Sequence, residues 1–418
     1  MTPLRNLIPA VLFATGAALH ISCSGDSGYP APDAGVVDNG GIDAAAAFEA
    51  AAAHARNAID AAPRRYRFPH SVYGSGRTKY AFRKEWTSGF FPGILWYLYE
   101  YTGDPAWEAE ARRWTERVDG VQYLENTHDL GFMIYCSYGN GYRLTGDERY
   151  RETIVQAAES LLTRFNPYVG LIRSWSHGYW GLPWRFPVIV DNLMNLELLY
   201  FAANATGDVS ISELATSHAR ITMRDFIRDD FSSYHVIDYD PFTGDIRRRM
   251  THQGFATDSA WARGQAWALY GFTMAWRETG DYAFLDLARG IADFILSHPA
   301  TPPDGIPYWD FDDPGIPNAP RDASAGAIIA SALLELQEYI PEKRDPYIAH
   351  AERILRSLSS PAYLAPPGTN NNFLLKHSTG NFPGSTEIDK PLIYADYYFL
   401  EALLRWEASA KETPRHPS

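Results

Sequence analysis

Cysteine is scarce in this chain, which has 418 residues but two cysteines, Cys23 and Cys136. So few cysteines exclude a disulfide scaffold and a cysteine-rich zinc site. Basic residues are also in deficit, because 37 Lys and Arg face 50 Asp and Glu and leave a formal net charge of −13. Nucleic-acid binding depends on Lys and Arg side chains that neutralise phosphates, so this balance argues against a nucleic-acid partner.

Several catalytic signatures are missing as well. The sequence has no convincing His-Glu-x-x-His, Gly-x-Ser-x-Gly, phosphate loop or dinucleotide fingerprint. Their absence argues against zinc hydrolases, serine hydrolases and nucleotide-dependent enzymes, and we expect neither a metal nor an organic cofactor. No stretch shows the sustained alternation of a β-strand. Hydrophobic residues nevertheless make up 46% of the chain, enough for a large core.

The first 22 residues have the pattern of a signal peptide. Arg5 precedes an apolar run from Leu7 to Leu19, which is too short for a stable membrane anchor. The residues just before Cys23 are similar to a bacterial lipoprotein cleavage box. We therefore expect cleavage after residue 22, lipidation of Cys23 and a flexible linker over 23–42. The alternative is a plain secretory signal. Both predict an exported protein, periplasmic or membrane-anchored, and any membrane contact is expected through a lipid anchor alone.

The tripeptide Thr-Gly-Asp divides the rest of the chain into repeats. It occurs at residues 102–104, 145–147, 206–208 and 279–281, each time between an apolar, aromatic-rich run and an amphipathic one. Glycine is the usual residue just after a helix, and Asp is a common residue just before one. Two further apolar runs bring the count to six apolar and six amphipathic helices, about 63 residues per pair over 43–418. The pattern predicts one all-α domain, and leaves open a closed ring or an open solenoid.

Unusual polar residues gather just before the predicted apolar helices. Asp129 follows His128, Asp191 precedes Asn192, and the two aspartates lie one repeat apart. Equivalent positions on neighbouring helices, ~8–10 Å apart, can place two carboxylates around a sugar and a water. The alternative is that each aspartate caps a helix N-terminus.

Arg263 is the cation that the pattern favours for binding a substrate carboxylate. It lies near Thr251 and Gln253, and its planar guanidinium matches a carboxylate through two hydrogen bonds. The alternative is a structural ion pair with Asp258 or Asp322.

Aromatic residues at the same end of the predicted helices are candidates for sugar stacking. They are Trp86, Trp261 and Trp267, each of which also fits a plain core position. His235 lies in a predicted loop, and a lone histidine of this kind is more often structural. Cys136 lies in an apolar stretch and is interpreted as a buried core residue.

Long strings of these segments resemble glycoside hydrolase family 88, the unsaturated glucuronyl hydrolases. The matching strings include WTSGFFPG at 86–93, HDLGF at 128–132, DNLMNLE at 191–197, WARGQAW at 261–267 and IYADYYFLEAL at 393–403. The resemblance extends from about residue 45 to 410, nearly the whole mature chain. It implies an (α/α)6 barrel, which would close the ring that the repeats leave open.

The resemblance also implies an activity and a set of site residues. The activity is removal of a 4-deoxy-hex-4-enuronic acid from the non-reducing end of oligosaccharides left by a polysaccharide lyase. Asp191 matches the general acid/base and Asp129 the second essential carboxylate. The positions that match the lining of the substrate pocket are His128, His235, Thr251, Gln253, Trp261, Arg263, Trp267 and Ser378. The final loop, Ser378–Pro383, lacks the second Ser and the Lys of relatives that act on sulfated glycosaminoglycans.

The chemistry of such a substrate sets a requirement for Asp191. The C4=C5 double bond is joined to the ring oxygen as a vinyl ether, so protonation at C4 would give a cation that the oxygen stabilises. This needs a carboxylic acid kept protonated near neutrality by burial or by a like-charged neighbour such as Asp129. Three alternatives stay open: an unsaturated rhamnogalacturonyl hydrolase acting on pectin fragments, a glycan-binding lipoprotein without activity, and an inverting hydrolase of saturated sugars.

Overall fold

A computed structural model of the protein describes residues 41–63, 66–176 and 184–412. The predicted signal peptide, Cys23 and nearly all of the predicted linker lie outside these residues. Within the described part of the chain, none of the helices combines the length and the apolar character that crossing a membrane requires.

Twelve α-helices account for nearly half of the described residues. In chain order they are α1 (Ala44–Ala61), α2 (Phe90–Thr102), α3 (Pro105–Thr115), α4 (Asn140–Thr145), α5 (Glu148–Leu162), α6 (Glu197–Thr206), α7 (Val209–Phe226), α8 (Ala262–Thr279), α9 (Tyr282–Ser297), α10 (Ala323–Leu336), α11 (Arg344–Ser359) and α12 (Ile393–Glu412).

The even-numbered helices form an inner ring and the odd-numbered helices an outer one. Neighbouring inner helices pack on one another, with the π-helical segment Gly131–Gly139 that precedes α4 packing on α6, and α12 packs on α2, so that the ring closes. The inner helices α8 and α10 are buried along their length, whereas an outer helix such as α5 buries one face. The structure therefore confirms the all-α prediction of six apolar and six amphipathic helices, and its closed ring is an (α/α)6 barrel rather than an open solenoid.

The Thr-Gly-Asp repeats make the turns between inner and outer helices. Their glycines, at positions 103, 146, 207 and 280, adopt left-handed conformations with φ between 64° and 75°. Such φ values favour glycine because it has no Cβ. The following aspartates cap the next helices; Asp104, for example, accepts a hydrogen bond from the backbone N–H of Ala106. Both roles that the sequence predicted for this tripeptide are confirmed.

Short strands, which the sequence analysis missed, lie between the helices at the rim of the barrel. They are β1 (Arg67–Val72), β2 (Thr78–Phe82), β3 (Phe165–Asn166), β4 (Leu171–Ile172), β5 (Phe186–Ile189), β6 (Val236–Tyr239) and β7 (Ile246–Met250). They escape detection because most are too short for an alternating pattern, and β5 and β6 are buried at every position.

The sheet β5-β6-β7 brings three separate parts of the sequence together. In the antiparallel register, Ile189 pairs with Val236, which pairs in turn with Met250. Asp191 comes two residues after the end of β5, His235 immediately precedes β6, and Thr251 immediately follows β7. The sheet therefore positions these three residues at one end of the barrel.

Candidate active site

Irregular helical segments connect the site residues to the inner helices. Gly131–Gly139 is a π-helix that leads into α4, and Val190–Asn195 is a 3₁₀-helix that leads to α6. The two segments touch, because Asn195 Oδ1 accepts a hydrogen bond of 3.1 Å from the Phe132 backbone N–H. A Cβ at Gly131 would come within 2.6 Å of the Asn195 Cα, so glycine permits this close approach. π-Helical turns are frequent at functional sites.

Asp129 is held by neighbouring side chains. The Thr127 hydroxyl donates a hydrogen bond of 2.7 Å to Asp129 Oδ2, and His128 Nε2 lies 3.3 Å from Oδ1. The Asp129 side chain keeps 19% of its surface exposed, whereas His128 is buried. These contacts leave the carboxylate facing the open end of the barrel, and they are not those of a helix N-cap.

Asp191 is the more deeply buried of the two carboxyls. Its side chain is 13% exposed, and Oδ2 has no hydrogen-bond partner among the described residues. Burial raises the pKa of Asp191 to about 7, although the Arg263 charge lowers it, and the Asp129 charge adds a smaller increase. This direction is the one that the sequence analysis expected for Asp191. Its main cause is burial, with the like-charged neighbour second.

His235 faces Asp191 with a defined ring nitrogen. Its Nδ1 accepts hydrogen bonds of 3.1 Å from the backbone N–H groups of His252 and Gln253. Burial lowers the pKa of His235 well below its usual range, so the ring is neutral and its proton is on Nε2. This nitrogen lies 3.8 Å from Asp191 Oδ2. The Trp261 ring packs on the imidazole with 4.4 Å between ring centroids.

Arg263 is buried, and its guanidinium bonds to Asp322 and to the final rim loop. Its side chain is 2% exposed, and one terminal nitrogen donates to Asp322 Oδ2 (2.8 Å) and to the Thr379 carbonyl (2.6 Å). The other terminal nitrogen donates to the Gly380 carbonyl. Arg263 therefore forms the ion pair with Asp322 that the sequence offered as the alternative, and it fixes the final rim loop. Its role toward a substrate carboxylate, whether by direct binding or by orienting other groups, stays a prediction.

The three tryptophans differ in accessibility. Trp261 and Trp267 are almost completely buried, and both belong to the hydrophobic core. Trp267 also interacts with the Asp191 carboxyl, where its side chain lowers the pKa. Trp86 is partly exposed and packs on Tyr394 and Phe132, with centroid distances of 4.9 and 5.3 Å. Trp86 is thus the one of the three with a face left for a sugar.

The remaining predicted residues meet around the final rim loop. Gln253 Nε2 donates to the Gly380 carbonyl (2.9 Å), and the Thr251 hydroxyl accepts from the Gly254 N–H (2.8 Å). Ser378 pairs through its backbone with Lys390. Its buried hydroxyl has no hydrogen-bond partner in the described part of the chain. The structure therefore brings the predicted site residues of the mature domain to one end of the barrel.

The sequence analysis missed a charged cluster that supports this loop. Glu387 Oε1 accepts hydrogen bonds of 2.7 Å from both His70 Nε2 and Lys79 Nζ, and the Gly380 N–H donates to the Glu387 carbonyl. Although Glu387 is buried, these partners lower its pKa to about 2. No local sequence signal reveals the cluster, because its members lie more than 300 residues apart.

Cys136 is a free, buried thiol, as the sequence predicted. Across residues 41–63, 66–176 and 184–412, no group of three or more His, Cys, Asp or Glu side chains is placed to hold a metal ion.

An (α/α)6 barrel with a buried carboxyl group of raised pKa and a second, partly exposed carboxyl group at its rim fits a glycoside hydrolase. Residues 66–381 match the profile of Glycosyl Hydrolase Family 88, and the chain belongs to this family.

The names of similar proteins are consistent with this family assignment. The chain is 47% identical over 323 residues to an unsaturated glucuronyl hydrolase of Formosa agariphila, an alignment that covers 77% of this chain and 80% of that protein. It is 35% identical over 331 residues to an unsaturated chondroitin disaccharide hydrolase of Streptococcus pneumoniae, covering 77% and 82% of the two chains. A solved unsaturated glucuronyl hydrolase specific for heparin superposes with a TM-score of 0.85 and 49% identity, covering 88% of this chain and 98% of that one.

Proposed function

We propose that the protein removes an unsaturated (4-deoxy-hex-4-enuronic) uronic acid from the non-reducing end of lyase-generated oligosaccharides. The activities named for its relatives support this substrate class. The observation that carries the proposal is the state of Asp191, whose pKa of about 7 leaves a protonated fraction at neutrality. Its Oδ2 is also buried without a partner among the described residues, so this oxygen still lacks the hydrogen bond that a substrate group would provide.

In the proposed reaction, Asp191 donates its proton to C4 of the double bond. The ring oxygen stabilises the positive charge that develops at C5, and a water molecule adds there. The water gives up one proton to the Asp191 carboxylate, which restores the acid. The resulting hemiketal opens to a ketone at C5, which leaves the former ring oxygen as a hydroxyl on C1. The hemiacetal at C1 then collapses to an aldehyde, and the remaining sugar leaves as an alcohol with the proton of that hydroxyl. General acid catalysis of this kind contributes typically ~10²–10⁴-fold to the rate.

Asp129 and His235 have supporting roles in this proposal. The Asp129 charge raises the pKa of Asp191 and thereby increases the protonated fraction. The Nε2–H of His235 is positioned to donate to a substrate oxygen beside Asp191. The Arg263 guanidinium already donates hydrogen bonds to Asp322 and to the Gly380 carbonyl of the final loop. We therefore assign the substrate carboxylate to neutral donors and propose the Ser378 hydroxyl, which is buried without a partner among the described residues, as one of them.

The experiment that tests the proposed function is a panel of substrates. Unsaturated disaccharides from heparin, chondroitin and pectin lyases are incubated with the protein, and the ultraviolet absorbance of the double bond is followed. Saturated disaccharides of the same composition are the matched control. Loss of absorbance with a glycosaminoglycan-derived disaccharide supports the proposal. Cleavage of the pectin-derived substrate alone, cleavage of saturated sugars, or return of every ligand intact would each support one of the alternative functions instead.

We also propose that the protein is exported and lipidated at Cys23, because the apolar run Leu7–Leu19 precedes that cysteine. One acyl chain gives only marginal membrane binding, so stable attachment needs the several chains of a bacterial lipoprotein. The test compares wild type with Cys23→Ala after fractionation of the producing cells. The wild type should be found with the membrane and the variant should not. Recovery of both in the same soluble exported fraction would support plain secretion.

A further inference from the structure

A second cavity lies along the barrel axis, at the end opposite the two carboxyls. Its volume is about 540 Å³, which falls within the range of small-molecule sites. Glu100, Arg143 and the exposed Ala408 lie around its mouth, close to the C-terminal ends of α2, α4 and α12. Gly131 and Met194 line its inner end.

An aromatic layer lies between this axial cavity and the active site. Trp267 packs against Phe132 on one side and Tyr398 on the other, with centroid distances of 5.3 and 5.4 Å. All three side chains are buried. Tyr398 lines the axial cavity, whereas Trp267 interacts with Asp191. The axial cavity is therefore a separate compartment and not a deeper part of the substrate pocket.

Glu401 is the centre of a hydrogen-bond network in the wall of the axial cavity, which Glu100 and Glu197 also line. Glu401 Oε1 accepts hydrogen bonds from the hydroxyls of Tyr97 (3.0 Å) and Tyr270 (3.2 Å), and Oε2 accepts one from the Ser331 hydroxyl (2.5 Å). These partners come from α2, α8 and α10, while Glu401 itself is on α12. Because the network ties four inner helices together, the polar wall is preformed and does not need a ligand to assemble it.

The charges of the wall argue against an anionic ligand. Arg143 forms two hydrogen bonds with Glu100, at 2.7 and 2.5 Å, and Arg405 pairs with Glu335 at 2.9 Å. Both guanidinium groups are thus already neutralised, whereas Glu401 is held by hydroxyl groups. A uronic acid or a sulfated sugar would meet carboxylates here without a guanidinium that is left to bind it.

Two hydroxyl groups in the wall remain available. Tyr135 and Tyr398 line the cavity, and neither hydroxyl forms a hydrogen bond with another of the described residues. Because both side chains line the cavity, these hydroxyls are open to it and can bond a ligand or ordered water there. Aromatic faces combined with hydroxyl and carboxylate groups suit a molecule that presents both C–H surfaces and hydroxyls.

We propose that the axial cavity is a second binding site, for a neutral, hydroxyl-rich ligand of monosaccharide size that enters from the end opposite the active site. The site requires no chemistry of Asp129 or Asp191, so the proposal stands independently of the proposed function.

The test measures binding of glucose, N-acetylglucosamine and sodium glucuronate by calorimetry and by saturation-transfer NMR. Two variants probe the cavity, Tyr398→Phe and Ala408→Trp. Tyr398→Phe removes an oxygen that has no protein partner in the described structure, and Ala408 is exposed at the mouth, so both variants should fold. Ser378→Ala, at the opposite end of the barrel, is the matched control for sugar binding in the active site.

The proposal expects at least one neutral sugar to bind and glucuronate to bind more weakly. Loss of one hydrogen bond in Tyr398→Phe should weaken binding by about three- to ten-fold. Ala408→Trp should abolish it, and Ser378→Ala should leave it unchanged. Absence of binding by both neutral sugars would overturn the proposal. So would glucuronate binding equally well, or binding that Ser378→Ala removes and the two cavity variants do not.

Discussion

His235 Nε2 lies 3.8 Å from Asp191 Oδ2, and neither atom has a hydrogen-bond partner among the residues that the structure describes. The distance is longer than a hydrogen bond, although one atom carries a proton and the other is a carboxyl oxygen. A substrate oxygen placed beside both atoms would complete the arrangement. In the proposed function, the reacting part of the substrate binds beside this pair.

Two substitutions separate the two roles of His235, which accepts hydrogen bonds at Nδ1 and faces Asp191 with Nε2. His235→Asn can keep an acceptor near the Nδ1 position for the His252 and Gln253 N–H groups, but it loses the donor that faces Asp191. His235→Gln places an amide near the Nε2 position instead. We expect the Asn variant to keep its melting temperature and to lose turnover, while the Gln variant recovers part of kcat. Equal kcat values in the two variants, at equal stability, would contradict the assigned donor role.

The pKa of Asp191 predicts the pH dependence of turnover. Since the reaction uses the protonated acid, kcat should be constant at low pH and fall as pH rises through about 7. The Asp129 charge contributes to the raised pKa. The residual activity of Asp129→Asn should therefore fall at a lower pH than that of wild type. A pH–rate profile for both proteins checks this, and an unchanged or upward shift would contradict it.

The same pKa predicts an effect on stability. A carboxyl whose pKa is higher in the folded state than in the unfolded state binds a proton on folding, so its contribution to stability falls as pH rises. For Asp191 this loss develops between the ordinary aspartate pKa of 3.8 and the raised pKa of about 7. Asp191→Asn removes the cost of a buried charge. Thermal unfolding should show a gain in Tm for the variant that is larger above pH 7 than below pH 4. A gain independent of pH would show that Asp191 does not titrate as described.

Arg263→Lys tests whether Arg263 acts through the final rim loop. Lysine keeps the charge but cannot donate to both Asp322 and Gly380 from a planar group. We expect lower kcat and faster hydrogen exchange in residues 378–390. The preference for the free uronate over its methyl ester should stay as in wild type. Loss of that preference would return the carboxylate-binding role to Arg263.

Much of the fold follows from local sequence patterns. The Thr-Gly-Asp turns combine a left-handed glycine with an N-cap, and both are local requirements, so the helix boundaries they set are readable from the sequence. Ring closure depends on α12 packing against α2, about 300 residues away in the chain. No local pattern encodes that contact, and it was expected only from the family resemblance.

Part of the candidate site could also be predicted from local sequence patterns, and part of it could not. Asp129 and Asp191 were identified because the repeat places them at equivalent positions. The sequence left two partners open for Arg263, and the contact with Asp322 depends on tertiary packing. The His70–Glu387–Lys79 cluster and the axial cavity arise from side chains on widely separated elements, which periodicity does not bring together.

The most direct measurement of the central claim is turnover of an unsaturated disaccharide by Asp191→Asn. The side chains have nearly the same shape, but asparagine cannot donate a proton as an acid. Asp258→Asn, an exposed aspartate of the same rim region, is the matched control. We predict that Asp191→Asn binds the disaccharide and loses turnover by at least ~10²-fold, while Asp258→Asn stays close to wild type. A rate near that of wild type in the Asp191→Asn variant would contradict the account.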